Sequence, residues 1–182
     1  MVAEYSEEER RELLGLARQA IAAALRGERF APPAPGPHLS EKRGAFTTLH
    51  CQGNLRGCIG YVEAREPLYR TVIETAQAAA FEDPRFQPLS PEELPEVRLE
   101  ISVMSPLREI DPADVQVGTH GLLISQHGRR GLLLPQVATE WGFSREDFLR
   151  ETCRKAGLPR DAWKDPDARI HGFTCDIVSE GR

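Results

Sequence analysis

The stretch Leu55-Arg56-Gly57-Cys58-Ile59-Gly60 holds the residue types closest to chemistry: a thiol, a guanidinium two positions before it, and glycines at 57 and 60. Glycine inside a strand pattern marks a bulge or a place where another backbone or a ligand comes close. The pair therefore frames Cys58 as an accessible thiol. The plain alternative is a small core cysteine beside a solvated or carboxylate-paired Arg56, because cysteine is among the most buried residue types.

The elements that position this stretch are legible nearby. Ala45 to Gln52 is rich in β-branched, aromatic and apolar residues, and Gly53-Asn54 lies where a tight turn is expected, so residues 45–62 read as a β-hairpin. A Gly53-Asn54 loop places Gln52 opposite Leu55, Cys51 opposite Arg56, Leu49 opposite Cys58 and Thr47 opposite Gly60. Cys51, Arg56 and Cys58 then share one face, where the Arg56 cation favours the Cys58 thiolate and the two thiols approach diagonally as a conceivable redox pair.

Residues 7–26 form an amphipathic helix behind the capping-box spacing of Ser6 and Glu9, with 1–30 as an N-terminal helical segment and the proline-rich 31–43 as an extended connector into a region, 44–182, of sheet and helices. Pro67 fits a first helical position, and Leu68, Val72, Ile73, Ala76 and Ala80 make the stripe of a second helix over 67–81. Asp83-Pro84-Arg85-Phe86 ends it; an acid and an arginine between two phenylalanines fit a turn-stabilising pair or the wall of a ligand cleft. Residues 97–104 alternate as a strand on which Glu100 faces solvent or a site.

A second hairpin spans 118–134 with His127-Gly128 at its tip, in the same antiparallel system as the first. A short helix from Pro135 to Trp141 and a helix after Ser144 ending at Gly157 follow, with Cys153 on its apolar stripe. A last strand, 170–178, puts Phe173, Cys175 and Ile177 on one buried face.

Composition narrows the function classes. A chain of 182 residues at 40% hydrophobic content supports one compact domain, or a domain with a lobe. A net charge of -5 argues against an extended nucleic-acid footprint and leaves only local basic patches such as Arg129-Arg130. With no basic-then-apolar leader at the start and no apolar run near the length of a membrane span, a cytoplasmic location is expected. The cysteines at 51, 58, 153 and 175 lack zinc-ribbon spacing, and no nucleotide or metalloprotease motif occurs, so no cofactor is expected. Among imidazoles that could serve Cys58, His50 is expected on the opposite hairpin face and His127 at a loop tip; of the others, His120 and His171, His120 is preferred.

Taken in order, 44–49, 55–60, 83–86, Gly131 to Val137 and Cys153 to Leu158 form a combination that resembles the AMMECR domain family, which includes the protein A component of the AmmeMemoRadiSam system. The resemblance implies an α+β fold, an antiparallel β-sheet flanked by helices with a smaller second lobe, and the Leu55–Gly60 motif near a cleft. It implies the company of a Memo-like protein and a radical S-adenosylmethionine protein in a modification pathway, and no settled reaction. Eukaryotic relatives have been discussed as regulatory factors touching nucleic-acid processes, an idea the acidic balance here weakens.

Two functional readings follow. In the first, Cys58 is a nucleophile or covalent acceptor, Arg56 supports the thiolate or holds a small anionic ligand, N–H groups beside Gly57 and Gly60 stabilise an oxyanion, and Asp83, Arg85, Phe86 and Gln136 line the pocket. In the second, the hairpin is a non-catalytic module that docks a partner protein through residues such as Tyr61 and Phe86.

Overall fold

The computed structural model describes residues 4–181. The described residues divide into two compact units, one comprising 4–104 and 176–181 and the other 105–175. Each has its own sheet and core.

In the first unit, α1 (Glu7–Leu25) starts at a complete capping box in which Ser6 and Glu9 exchange hydrogen bonds. The strands β1 (Ala45–Cys51), β2 (Asn54–Tyr61), β3 (Val97–Met104) and β8 (Cys175–Ser179) form a sheet of order β2-β1-β3-β8. Helix α2 (Leu68–Phe81) lies between β2 and β3 in sequence, with Pro67 extended at its N-cap and not inside its first turn. Leu13, Ala17 and Ile21 of α1, Val72, Ala76 and Ala79 of α2, and Leu49, Leu99 and Ile101 of the strands form one buried cluster, so both helices cover the same face. That face carries the odd-numbered residues of β1 and β3, as the alternation of Ala45, Thr47 and Leu49 with half-exposed neighbours requires.

The second unit holds β4 (Arg108–Glu109), β5 (Gly121–Gln126), β6 (Arg129–Leu133) and β7 (Arg169–Phe173) in the order β4-β7-β5-β6, with α3 (Pro135–Glu140) and α4 (Arg145–Lys155). Its core joins Leu122, Ile124, Phe148, Leu149, Cys153 and Ile170. No helix among the described residues is long and apolar enough to cross a membrane.

The sheets differ from the sequence expectation in two ways. The hairpins do not share one sheet, and the single last strand expected over 170–178 breaks at Thr174 into β7 and β8, which belong to different sheets. Alternation within 170–178 cannot reveal this, because either half alone satisfies it. Ser105 and Thr174 mark the break by exchanging hydrogen bonds, Ser105 N–H to the Thr174 carbonyl at 2.9 Å and Thr174 N–H to Ser105 Oγ at 2.9 Å.

The first hairpin turns on Gln52-Gly53, with Cys51 paired to Asn54, and not on Gly53-Asn54. Both turn residues have positive φ, 50° and 81°, as a two-residue turn matching the strand twist requires. The second hairpin repeats the device at His127-Gly128, φ 50° and 78°, at the expected tip. Glycine occupies the second turn position both times. We expect Gly53→Ala to cost about 1 kcal/mol in urea unfolding and Gly53→Asn clearly less, since asparagine enters the left-handed region more readily; equal losses would show that the turn does not depend on that φ.

Candidate functional site

Moving the turn changes which residues face Cys58. The register runs Cys51↔Asn54 and His50↔Leu55, then skips Arg56 and resumes at Leu49↔Gly57, Thr48↔Cys58 and Phe46↔Gly60. Arg56 is the extra residue of a β-bulge. Cys58 therefore faces Thr48 and not Leu49, and lies on the sheet face away from the helices. Cys51 lies on the other face, opposite buried Val97, so the expected sharing of a face and the diagonal thiol pair do not occur. His50, two residues from Thr48, is on the Cys58 face, contrary to expectation.

The two glycines have packing reasons. A Cβ on Gly57 would lie 2.1 Å from the Ala79 carbonyl oxygen, so the bare residue lets α2 approach β2. A Cβ on Gly60 would lie 2.2 Å from the Phe46 ring, which fills the space across the strand pair. What comes close at these positions is backbone and a neighbouring ring.

β2 is an edge strand, and its outer side at Cys58 is closed by the segment after α2. Cys58 N–H donates to Asp83 Oδ2 at 2.9 Å, and Arg85 Nη2 donates to the Cys58 carbonyl at 3.4 Å. Asp83 is 4% exposed and also accepts from Arg85 N–H (3.1 Å), Nε (2.9 Å) and Nη2 (2.7 Å). These bonds, with Arg85 the largest cause, hold the Asp83 carboxyl far below the usual carboxylate range. The turn acts as a one-residue substitute for a fifth strand.

The network continues. The Arg85 guanidinium carbon lies 5.5 Å from the Phe86 ring centre and that of Arg56 5.9 Å from it. Arg56 meets Glu93 fork to fork, Nε to Oε1 at 2.8 Å and Nη2 to Oε2 at 3.0 Å, and Ser90 N–H donates to the same carboxylate at 2.9 Å. The Arg56 pKa is raised chiefly by the Glu93 hydrogen bond, and the thiol that adds to it is Cys51; the Arg85 pKa is raised chiefly by Asp83, and there the contributing thiol is Cys58. The cation beside Cys58 is Arg85.

Five expected residues thus come together with the Cys58 backbone in the first unit: Arg56, Gly57, Asp83, Arg85 and Phe86. Gly60 lies two residues along the same strand. Gln136 is in the second unit, half-buried at the second residue of α3. His120, also there, accepts from Gln116 N–H at Nδ1 (3.1 Å). Two residues were missed. Glu93 was signalled by the capping-box spacing of Ser90 and Glu93; Thr48, whose hydroxyl donates to Cys58 Sγ at 3.3 Å, required the correct turn. No cluster of three metal-ligating side chains occurs among the described residues.

The AMMECR1 family model matches residues 14–178. The chain belongs to the AMMECR1 family. It is 46% identical to a protein of Methanothermobacter thermautotrophicus over 98% of this chain and 97% of that one, and 40% identical to one of Aquifex aeolicus over 93% and 92%. The crystal structure of the uncharacterized protein PH0010 from Pyrococcus horikoshii matches with a TM-score of 0.90 at 40% identity, covering 96% of this chain and 93% of that one. That relative thus shares the α+β architecture of this chain, two antiparallel sheets with flanking helices.

Asp83 has a definite pH signature. In the unfolded chain its carboxyl protonates near about 3.9, and in the fold only at much lower pH. Its contribution is complete above the unfolded value and is lost as pH falls from there toward the folded one. We expect Asp83→Asn to cost about 2 kcal/mol at pH 7, with the gap to wild type narrowing below about pH 4. A gap independent of pH between 7 and 3 in denaturant titrations would show that the charge of Asp83 contributes nothing.

Proposed function

We propose that Cys58 is a reactive thiol that captures a small ligand on the helix-free face of the first sheet, making the protein a cysteine-dependent enzyme or small-molecule-binding component. The observation that carries this reading is a division of labour within the motif. Gly57, Gly60, Arg56, Asp83, Arg85 and Phe86 all serve to position the strand, whereas among the described residues the Cys58 side chain belongs to no core cluster and its hydrogen-bond partner is the Thr48 hydroxyl. Alanine or serine would meet the same backbone needs. Half a dozen residues hold the backbone of one half-buried thiol, and the thiol is what they have in common.

In this reading the thiolate forms a bond to an electrophilic centre of the ligand while Thr48 orients the sulfur by hydrogen bond. The AMMECR resemblance supports placing that step in the cytoplasm, in a modification pathway beside Memo-like and radical S-adenosylmethionine proteins. An anionic ligand has less support, because Arg56 and Arg85 already face Glu93 and Asp83. A second reading, a protein-docking module, draws on Leu55 and Tyr61, 41% and 43% exposed along the edge strand.

Iodoacetamide labelling of the folded protein, read out by mass spectrometry at each cysteine, tests the proposal. Burial pushes the Cys153 thiol up and the Cys175 thiol up to about 12, so both should be slow. Cys58 should label at least about tenfold faster than either, and Cys58→Ser should keep the fold while abolishing ligand capture. Labelling of Cys58 no faster than Cys153, with partner binding lost in Tyr61→Ala, would favour the docking module.

A further inference from the structure

The face that carries Cys58 has a row of chemistry running across three strands. Thr48 is the partner of Cys58 on β2 and of Glu100 on β3, which sets Cys58, Thr48 and Glu100 side by side. His50 and Arg98 lie in one flanking row, Phe46 and Ser102 in the other. Because Cys58 N–H points outward to Asp83, Cys58 and Thr48 form a close, non-hydrogen-bonded pair, and Thr48 with Glu100 the wider kind. The Cα atoms of Cys58 and Glu100 are then about 10 Å apart. That separation matches the length of a ligand of a few heavy atoms with one end at the thiol and the other at the carboxylate.

Charge decides what that ligand is. Each arginine of the motif is matched by its own carboxylate, Arg56 by Glu93 and Arg85 by Asp83. Glu100 is half-buried, and no hydrogen bond or ion pair engages its carboxylate among the described residues. Arg98, the cation on the same face, is exposed, so its charge is screened more strongly than one held partly out of water. His50 is the remaining titratable neighbour in that row.

We infer that Glu100 selects the charge of the ligand captured at Cys58: the site takes electrophiles bearing a cationic or N–H-donor group, held by the Glu100 carboxylate while the reacting centre meets the sulfur. This rests on Cys58 being a reactive thiol and adds the substrate class to it.

The experiment uses two methanethiosulfonate probes of similar size, one with a trimethylammonium end and one with a sulfonate end. In either case the thiolate attacks the sulfenyl sulfur, a disulfide forms, the S–S bond of the probe breaks and methanesulfinate leaves. Rates at Cys58 are divided by the rates of the same probes with 2-mercaptoethanol. The cationic probe should then be favoured roughly 3- to 30-fold, and Glu100→Gln should bring the ratio to within about twofold of unity. Cys51, beside Arg56, is the internal control for the net negative charge of the chain, and its ratio should be unchanged by Glu100→Gln. A wild-type ratio at Cys58 no higher than at Cys51, or one that survives Glu100→Gln, overturns the charge assignment and leaves the thiol reading standing. Failure of both probes to modify Cys58 overturns both. The wild-type ratio decides the sign even if the variant does not fold.

Discussion

The hydrogen bond from Cys58 N–H to the Asp83 carboxylate is the constraint on which the motif region depends. β2 is the edge of its sheet, and an edge backbone that is partly buried needs partners or exposes a row open to unwanted pairing. Asp83 supplies one acceptor where a further strand would have supplied several. To deliver it, α2 has to end at Phe81 and run close enough to β2 for its Ala79 carbonyl to exclude a side chain at position 57. Asp83 in turn is buried, and a buried carboxylate needs a cation, which Arg85 provides from two positions along the same turn. Phe86 and the Arg56–Glu93 pair complete the arrangement at the bulge.

The glycine-rich look of the motif is therefore a consequence of close packing. Glycine in a strand signals close approach without saying of what; here one glycine receives a helix carbonyl and the other a phenyl ring. The arginine is likewise a bulge residue held by a carboxylate from the loop before β3. Removing these from the list of ligand-binding groups concentrates attention on the side chains that the packing does not use, Cys58 with its Thr48 partner and Glu100 across β1.

Electrostatics separates the two sides of the edge strand. The arginines and their acids form a neutral ladder along the outer edge and the turn beside it. The face away from the helices carries a thiol, hydroxyls, an imidazole, the exposed guanidinium of Arg98 and a Glu100 carboxylate that no described residue engages. Closely matched charges rigidify a support and leave little field to attract a ligand, whereas a half-buried carboxylate without a partner retains its field.

The sequence by itself determined the elements whose signals are local. The capping box at Ser6 and Glu9, the stripes of α1 and α2 and the tip at His127-Gly128 depend on neighbours within one or two turns of chain and appear as expected, whereas the alternation of β3 holds only from Val97 to Glu100, because Ser102 and Met104 on its other face are buried as well. The AMMECR family was legible for the same reason, from five short motifs in order. Only the tertiary structure decided register and sheet membership. A two-residue turn can be centred on either side of Gly53, a bulge at Arg56 leaves no local mark, and together they exchange the faces of His50 and Cys51 relative to Cys58. The break at Thr174 is invisible to alternation because it is made by Ser105, 69 residues away in sequence. Pairings such as Asp83 with Cys58 and Arg56 with Glu93 join residues 25 and 37 positions apart, which no periodicity encodes; they form because buried backbone and buried charge must find partners once the chain is packed.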